Sequence, residues 1–283
     1  MSLIHLAVRL LPVPARNAAL RWHEERQLSR LPMAGCDVSP LGALDCVGLR
    51  KALSDPALAA EWPGVAAEID QFRITTTAGG VNPGDRRALY CLIRSFRPAT
   101  VLEVGTHIGA STIHIAAALR ANAAAGGPSP ELTTVDILDV NDAATRPWLR
   151  YGSQHAPAEM IERMGMSGKV RFVARPSLDF LADAGPSFDF IFLDGDHSAA
   201  TVYRELPAAL RRLASGGLVL LHDYFPEGRP LWPGAPVIPG PWLGVERLRR
   251  EGAGLTVLPL GDLGWPTKLG LNVTSLAAVV RAA

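Results

Sequence analysis

Carboxylates and imidazoles stand at the ends of short apolar runs in the middle of this sequence. Glu103 lies in Val101-Leu102-Glu103-Val104, just before the turn Gly105-Thr106-His107-Ile108-Gly109. Asp136 ends the run 132–135. Asp194 ends Phe188 to Leu193 and is followed by Gly195-Asp196-His197, and His222-Asp223 ends Gly217 to Leu221. An acid at the end of a strand can accept hydrogen bonds from ribose hydroxyls, which is the place of Asp136. An imidazole shortly after a strand-end carboxylate puts a titratable base beside a pocket, since His is the usual proton acceptor near neutral pH. His197 has that place after Asp194. Asp194, His222 and Asp223 together could hold a divalent cation with positions left open for substrate oxygens. An Asp–His hydrogen bond at the strand ends, or an Asp capping the next segment, accounts for the same residues without a metal.

The elements that must position these groups follow from the pattern around them. Val101 to Ala116 reads as strand, glycine turn and helix. In an open α/β sheet, the turn at the carboxyl end of the first strand receives a nucleotide-like ligand. Gly105 and Gly109 let the backbone turn tightly and approach that ligand. Their G-x-x-x-G spacing is not the G-x-G-x-x-G of dinucleotide-binding proteins, and Glu103 suits a cationic ligand end better than a pyrophosphate. Further strands are expected over Leu132 to Val135, Val170 to Val173, Phe188 to Leu193 and Gly217 to Leu221, with helical segments between them, including Ala199 to Leu213. Strands separated by helices predict a parallel sheet covered on both faces. A helix is expected near Val245 to Glu251, and two last strands near Gly254 to Leu260 and Lys268 to Thr274. Ser177 follows the third strand, where it can face an adenine edge, cap a helix, or do both. His107 can line the pocket from the turn, whereas His114 belongs on a helix face.

The 283 residues suit one large domain, or one domain with an appendage. An apolar fraction of 48% supports a substantial core, and a net charge of +1 supplies no basic field for nucleic acid. Cys36, Cys46 and Cys91 are too scattered for a disulfide framework or a zinc cluster, so a reducing cytoplasm is expected. No run approaches the ~18 apolar residues of a membrane helix. His5 and Arg9 interrupt the apolar start, which reads as part of the fold rather than a signal peptide. Residues 1–72 form a helical appendage, with a helix over Ala15 to Leu31 and shorter pieces over Leu49 to Phe72 that restart at Pro56 and Pro63. It can serve as a packing cap, a lid or a dimer contact. The loop Arg73 to Asp85 can fold over the ligand and leads into a helix over Arg86 to Phe96. The Pro/Gly-rich loop after Tyr224 carries Trp232 and Trp242, which suit an apolar, aromatic or sugar-bearing acceptor or else plain packing.

From about Val81 onward the chain resembles the class I S-adenosylmethionine-dependent methyltransferases. It is similar among them to small-molecule O-methyltransferases of the catechol, caffeoyl-CoA and macrolide-sugar types. The resemblance rests on VLEVGTHIGAS, TTVDI, ARPSLDF, FDFIFLDGDHS and GGLVLLHDY. It implies a Rossmann-like, seven-stranded, mostly parallel sheet with helices on both faces and an antiparallel last strand, here over residues 73–283. It implies that Glu103, Gly105, His107 and Ser111 line the methionine end of the cofactor, with Gly109 in the same turn. Asp136 would hold the ribose, Ile137 flank the adenine and Ser177 meet its edge. Asp194 falls on a position shared by cofactor pocket, catalysis and metal, Asp223 on a second metal position, and His197 on that of the catalytic base. The metal-dependent members place Asn or Asp directly after the second metal acid, where this chain has Tyr224. His222 is then either a substitute ligand, for Mg²⁺ or Mn²⁺, or a second candidate base. The implied reaction is methyl transfer to a hydroxyl of a small molecule, with no nucleic acid or membrane as partner and a homodimer compatible with the appendage. A nucleic-acid methyltransferase, a non-catalytic cofactor-binding protein and an NAD-dependent oxidoreductase are the other readings. They are opposed by the charge balance, the strand-end acids and the glycine spacing respectively.

Overall fold

A computed structural model describes residues 12–76, 80–268 and 270–282. The apolar runs become strands, and the central ones are buried on both faces, as expected for the centre of a parallel sheet. They are β1 (Thr100–Val104), β2 (Glu131–Asp136), β3 (Val170–Ala174), β4 (Phe188–Leu193) and β5 (Leu213–Leu221), followed by β6 (Leu255–Pro259) and β7 (Ala277–Arg281). Among the described residues they form one seven-stranded sheet in the order β3-β2-β1-β4-β5-β7-β6. β1 to β5 run parallel, and β7 is antiparallel to both of its neighbours, β5 and β6. The chain leaves β1 toward β2 and β3, then returns to place β4 on the other side of β1. That reversal opens a crevice between the carboxyl ends of β1 and β4. The register aligns those ends, with Val104 opposite Val135 on one side and Leu193 on the other, and Leu193 opposite Leu221.

Helices cover both faces. α1 (Val13–Leu28), α2 (Cys46–Leu53) and α3 (Pro56–Asp70) precede α4 (Pro83–Phe96) and α5 (Ala110–Ala124). The short α6 (Pro147–Arg150), α7 (Pro157–Arg163) and α8 (Ser177–Ala182) come next, then α9 (Ala199–Arg211) and α10 (Gly240–Arg250). One face of the core packs Leu89, Ile93 and Ile113 against Phe190 and Phe192. The other packs Tyr203, Leu206 and Val245 against Leu102 and Ile191. The segment before α4 contributes to both, with Leu28 and Leu41 on the second face and Leu49, Leu58 and Ile69 on the first. Side-chain caps set four helix starts among the described residues: Asp45 accepts from Gly48 N, Asp55 from Ala57 N, Asn82 from Asp85 N and Ser198 from Thr201 N. No helix among the described residues is long and apolar enough to cross a membrane.

The structure departs from the sequence reading in three places. The last strand is Ala277–Arg281, not Lys268 to Thr274. Among the described residues of that stretch, Val273 makes only an isolated bridge to Asp262, and Leu271 N turns back to Lys268 O. The small and β-branched Ala277-Ala278-Val279 fits against Val219 to Leu221 better than the polar stretch before it. Pro63 does not restart a helix but lies inside α3, which runs on to bury Ile69. α10 begins at Gly240, well before Val245. The reading of the first residues as part of the fold, as far as it concerns residues 1–11, lies outside the described residues.

Two close approaches fix the crevice. Gly105 has φ near 100°, and a Cβ there would stand 2.2 Å from the Asp194 carbonyl oxygen. Gly240 opens α10 against the loop after β4, where a Cβ would stand 1.9 Å from the His197 carbonyl oxygen. Both contacts are with backbone, which cannot swing aside as a side chain can. Gly105→Ala combines a positive φ with such a clash and should cost more than about 2 kcal/mol. In urea unfolding, the midpoint should fall while the slope stays that of the parent. A midpoint unchanged from the parent would contradict the packing described.

Candidate active site

A cavity of about 500 Å³ occupies the crevice. Gly105 and His107 reach it from the turn after β1, Asp136 and Ile137 from the end of β2, and Ser177 from the start of α8. Asp194 and His197 reach it from the loop after β4, and His222 and Asp223 from the end of β5. Glu103, Gly109 and Ser111 do not line it. Gly109 is the N-cap residue of α5 and packs against Pro157, and Ser111 is buried in the first turn of that helix. Glu103 is fully buried beneath α5, where Oε2 accepts from the hydroxyls of Thr112 and Thr134, each at 2.6 Å. Its Oε1 has no partner. Burial pushes the Glu103 carboxyl up to about 7, against the pull of its hydroxyl donors.

At one end of the cavity, Asp136 accepts from the backbone N–H of His107 at 2.9 Å and of Leu138 at 3.0 Å. These two donors hold the carboxylate still and leave it acceptor capacity toward the cavity. His107 is a non-glycine residue at positive φ, its ring 4.3 Å from that of Tyr151. Its Nδ1 is buried without a partner, and burial holds its pKa below the usual imidazole value despite nearby Asp136 and Asp194. Ile137 presents a largely exposed apolar side chain beside it.

At the other end, four ionisable groups converge. His197 Nε2 lies 3.7 Å from Asp194 Oδ1 and 3.5 Å from Asp223 Oδ2. His222 Nδ1 lies 2.8 Å from Asp194 Oδ1 and 3.6 Å from Asp223 Oδ2. The two imidazoles differ in access, since the His197 side chain is 30% exposed and that of His222 only 5%. Burial opposes charge on His222, yet Asp194 and Asp223 outweigh it and hold its pKa well above the ordinary value. Burial likewise works against the Asp223 carboxylate. His222, His197 and Lys268 reverse that and hold its pKa far below the usual range. Asp223 is at positive φ, a conformation that costs energy and persists only where the surroundings impose it.

Residues 102–224 match the family described as "Methyltransferase domain". The fold is that of the class I methyltransferases. The chain is 29% identical over 158 residues to a catechol O-methyltransferase of Niastella koreensis, an alignment covering 53% of this chain and 61% of that protein. It is 28% identical over 174 residues to the "Probable O-methyltransferase Rv1703c" of Mycobacterium tuberculosis, covering 59% of this chain and 67% of that protein. The chain thus spans about three fifths of the first relative's length and two thirds of the second's. Its structure is similar to the methyltransferase PaMTH1 of Podospora anserina, solved bound to SAH. There the TM-score is 0.51 at 16% identity, over 81% of this chain and 88% of the other. By its sequence and its sheet, the chain resembles the class I S-adenosylmethionine-dependent O-methyltransferases.

The residues around the crevice suit two kinds of group. The Asp136 carboxylate, with acceptor capacity to spare, borders the cavity beside the exposed apolar Ile137, which suits a nucleoside with hydroxyl groups to satisfy. Asp194, His197 and Asp223 each offer a ligand atom, all within 4.8 Å of one another, which suits a divalent cation. His222 lies outside that trio, its Nδ1 close to the same two carboxylates. Sequence reasoning missed Asp85, which is fully buried in the first turn of α4, 3.1 Å from His222 Nε2. Asn82 Nδ2 and Thr274 Oγ1 donate to it. Asp196 also borders the cavity, and its carboxylate is taken up within the loop, accepting from Ser198 and Thr201. Trp242 packs against Gly228 with Arg21 over its ring, and neither it nor Trp232 lines the cavity.

Behind the wall that Ser177 helps to form, α9 carries Glu205, buried and without a partner for Oε1. Burial first, then repulsion from Asp196, push its carboxyl up to about 7 against a hydrogen bond from Ser177. Between its ordinary value of 4.5 and about pH 7, the folded chain holds a proton that the unfolded chain has released. Stability therefore falls as pH rises through that window, by about 3 kcal/mol at most for this group. Glu205→Gln should raise the melting temperature relative to the parent more at pH 8 than at pH 5. An equal difference at both values would show that the carboxyl titrates normally.

Proposed function

We propose that this chain transfers a methyl group from S-adenosylmethionine to a hydroxyl oxygen of a small molecule. The carrying observation is one cavity with a held ribose-type acceptor, Asp136, at one end and the pair Asp194 and His197 at the other. The relatives named above support a hydroxyl acceptor. In this reading residues 73–283 make up the transferase domain, and residues 1–72 cap it. Free Cys36, Cys46 and Cys91 suit a reducing cytoplasm.

The sulfonium supplies an already activated methyl, so alignment is the main task of the protein. Asp136 accepts from the ribose hydroxyls, Ile137 lies along the adenine and Ser177 meets its edge. Gly105 and His107 border the amino-acid end. Glu103, Gly109 and Ser111 act one layer back, by holding the turn and the start of α5. His197 is the general base. Its Nε2 is accessible from the cavity and stands between two carboxylates that stabilise the imidazolium formed when it takes the hydroxyl proton. His222 is too enclosed to reach an acceptor and instead positions Asp194. A divalent cation, Mg²⁺ or Mn²⁺, would be held by Asp194 and Asp223 with His222 beside them, and would lower the pKa of an acceptor hydroxyl.

His197→Ala should lower kcat about 10²–10⁴-fold, while the affinity for S-adenosylhomocysteine, read by isothermal titration, stays within about threefold of the parent. Intact turnover would remove His197 from the role of base. Chelator-treated protein titrated with Mg²⁺ or Mn²⁺ should give a binding heat that Asp223→Asn abolishes. Nucleoside binding with no metal heat would leave a transferase that works through His197 alone, and absence of nucleoside binding would overturn the whole reading.

A further inference from the structure

A second cavity, of about 360 Å³, lies on another side of α4, away from the rim. Arg86 and Arg87 border it, with Trp62 from α3, Trp265 from the segment after β6 and His114 from α5. Neither arginine has a carboxylate partner among the described residues. Arg86 is almost fully buried. Its Nε donates to the Val81 carbonyl and its Nη2 to the Thr75 carbonyl, which satisfies donors but leaves the charge uncompensated. Burial lowers its pKa to about 10, so it remains charged at neutral pH. Arg87 has a buried Nε with no hydrogen-bond partner, and its guanidinium lies 4.2 Å from the Trp265 ring centre and 5.6 Å from that of Trp62.

A buried cation without an anion is costly unless something supplies the missing charge. The indole faces give part of it. The remaining walls do not: the one carboxylate along them, Asp70, is itself exposed, and Ile69 and Ile74 are apolar. His114 is neutral, because burial and then Arg86 push its pKa down to about 3. Its Nδ1 lies 2.6 Å from the Ala110 carbonyl, to which the neutral ring donates, leaving Nε2 as an acceptor. The wall thus combines one buried and one half-buried guanidinium without a carboxylate partner, one neutral acceptor and a largely apolar remainder.

We infer that this cavity is a binding site for a small organic acid, with the carboxylate on Arg86 and Arg87 and a compact apolar body against the indoles and isoleucines. The site is separate from the proposed transferase crevice: the two cavities share no lining residue. Arg guanidinium suits a carboxylate by its planar, two-donor face. The volume of about 360 Å³ admits a ring-sized body.

The test uses the full chain and benzoate as probe, followed by saturation-transfer NMR and by titration calorimetry. Benzoate should bind in a saturable way at one site per chain. Benzamide, which keeps the shape and loses the charge, should bind at least tenfold more weakly. Arg87→Met should weaken benzoate at least tenfold while retaining a cooperative thermal transition and unchanged affinity for S-adenosylhomocysteine. Arg87→Lys, which keeps the charge but not the fork, should fall between the two. Benzamide binding as well as benzoate, inorganic phosphate binding as tightly as benzoate, or an Arg87→Met variant that binds benzoate like the parent would each overturn the inference. Because S-adenosylhomocysteine is followed separately, failure here and failure of the transferase reading are distinguishable.

Discussion

Charge taken out of water must be compensated where it lies, and at the carboxyl edge of this sheet that condition falls on four side chains. Asp85, Asp194 and Asp223 surround the His222 ring, all enclosed or nearly so. Three carboxylates around one imidazole cannot be separated cheaply, since removing any one changes the balance for the rest. The neighbours are polar for the same reason: Asn82 and Thr274 donate to Asp85, and Ser275 donates to Asp223 at 3.1 Å. The cluster ties the first turn of α4 and the segment before β7 to the ends of β4 and β5. The rim is therefore held from outside the sheet as well as by its register.

That geometry explains which site residues could be seen in the sequence. A parallel sheet brings every strand's carboxyl end to one edge, so acids and imidazoles that end apolar runs meet there whatever their separation in the chain. Asp136, Asp194, His197, His222 and Asp223 follow that rule and line one cavity. Glu103 occupies the same kind of position but is the penultimate residue of β1, and alternation turns it beneath α5 instead of toward the crevice. Asp85 could not be read at all. It sits in a helix before the first strand, 137 residues from His222, and only tertiary packing joins them.

The misplaced elements have a related cause. β7 pairs antiparallel between β5 and β6, so its identity depends on neighbours rather than on its own alternation. Lys268 to Thr274 matched a strand as well by composition, but Thr274 and the carbonyls around it are committed to side-chain hydrogen bonds. Pro63 reads locally as a helix start, yet the rest of α3 is held by burying Leu58 and Ile69, and that outweighs the one backbone bond a proline removes.

The first turn of α4 shows how one short segment serves two surroundings. Successive residues of a helix point about 100° apart. Asp85 is directed at His222, whereas Arg86 and Arg87 border the second cavity. The segment after β6 then clasps the same turn at two points: Trp265 Nε1 donates to the Gly84 carbonyl at 2.9 Å, and Thr274 Oγ1 donates to Asp85. A turn held by its own Asn82 cap and by two outside donors has little freedom to shift one side without the other. Asp85 therefore acts on His222 as a fixed group, and the arginines are held in place before any ligand arrives. Such preorganisation lowers the cost of binding, because the ordering is already complete in the folded chain.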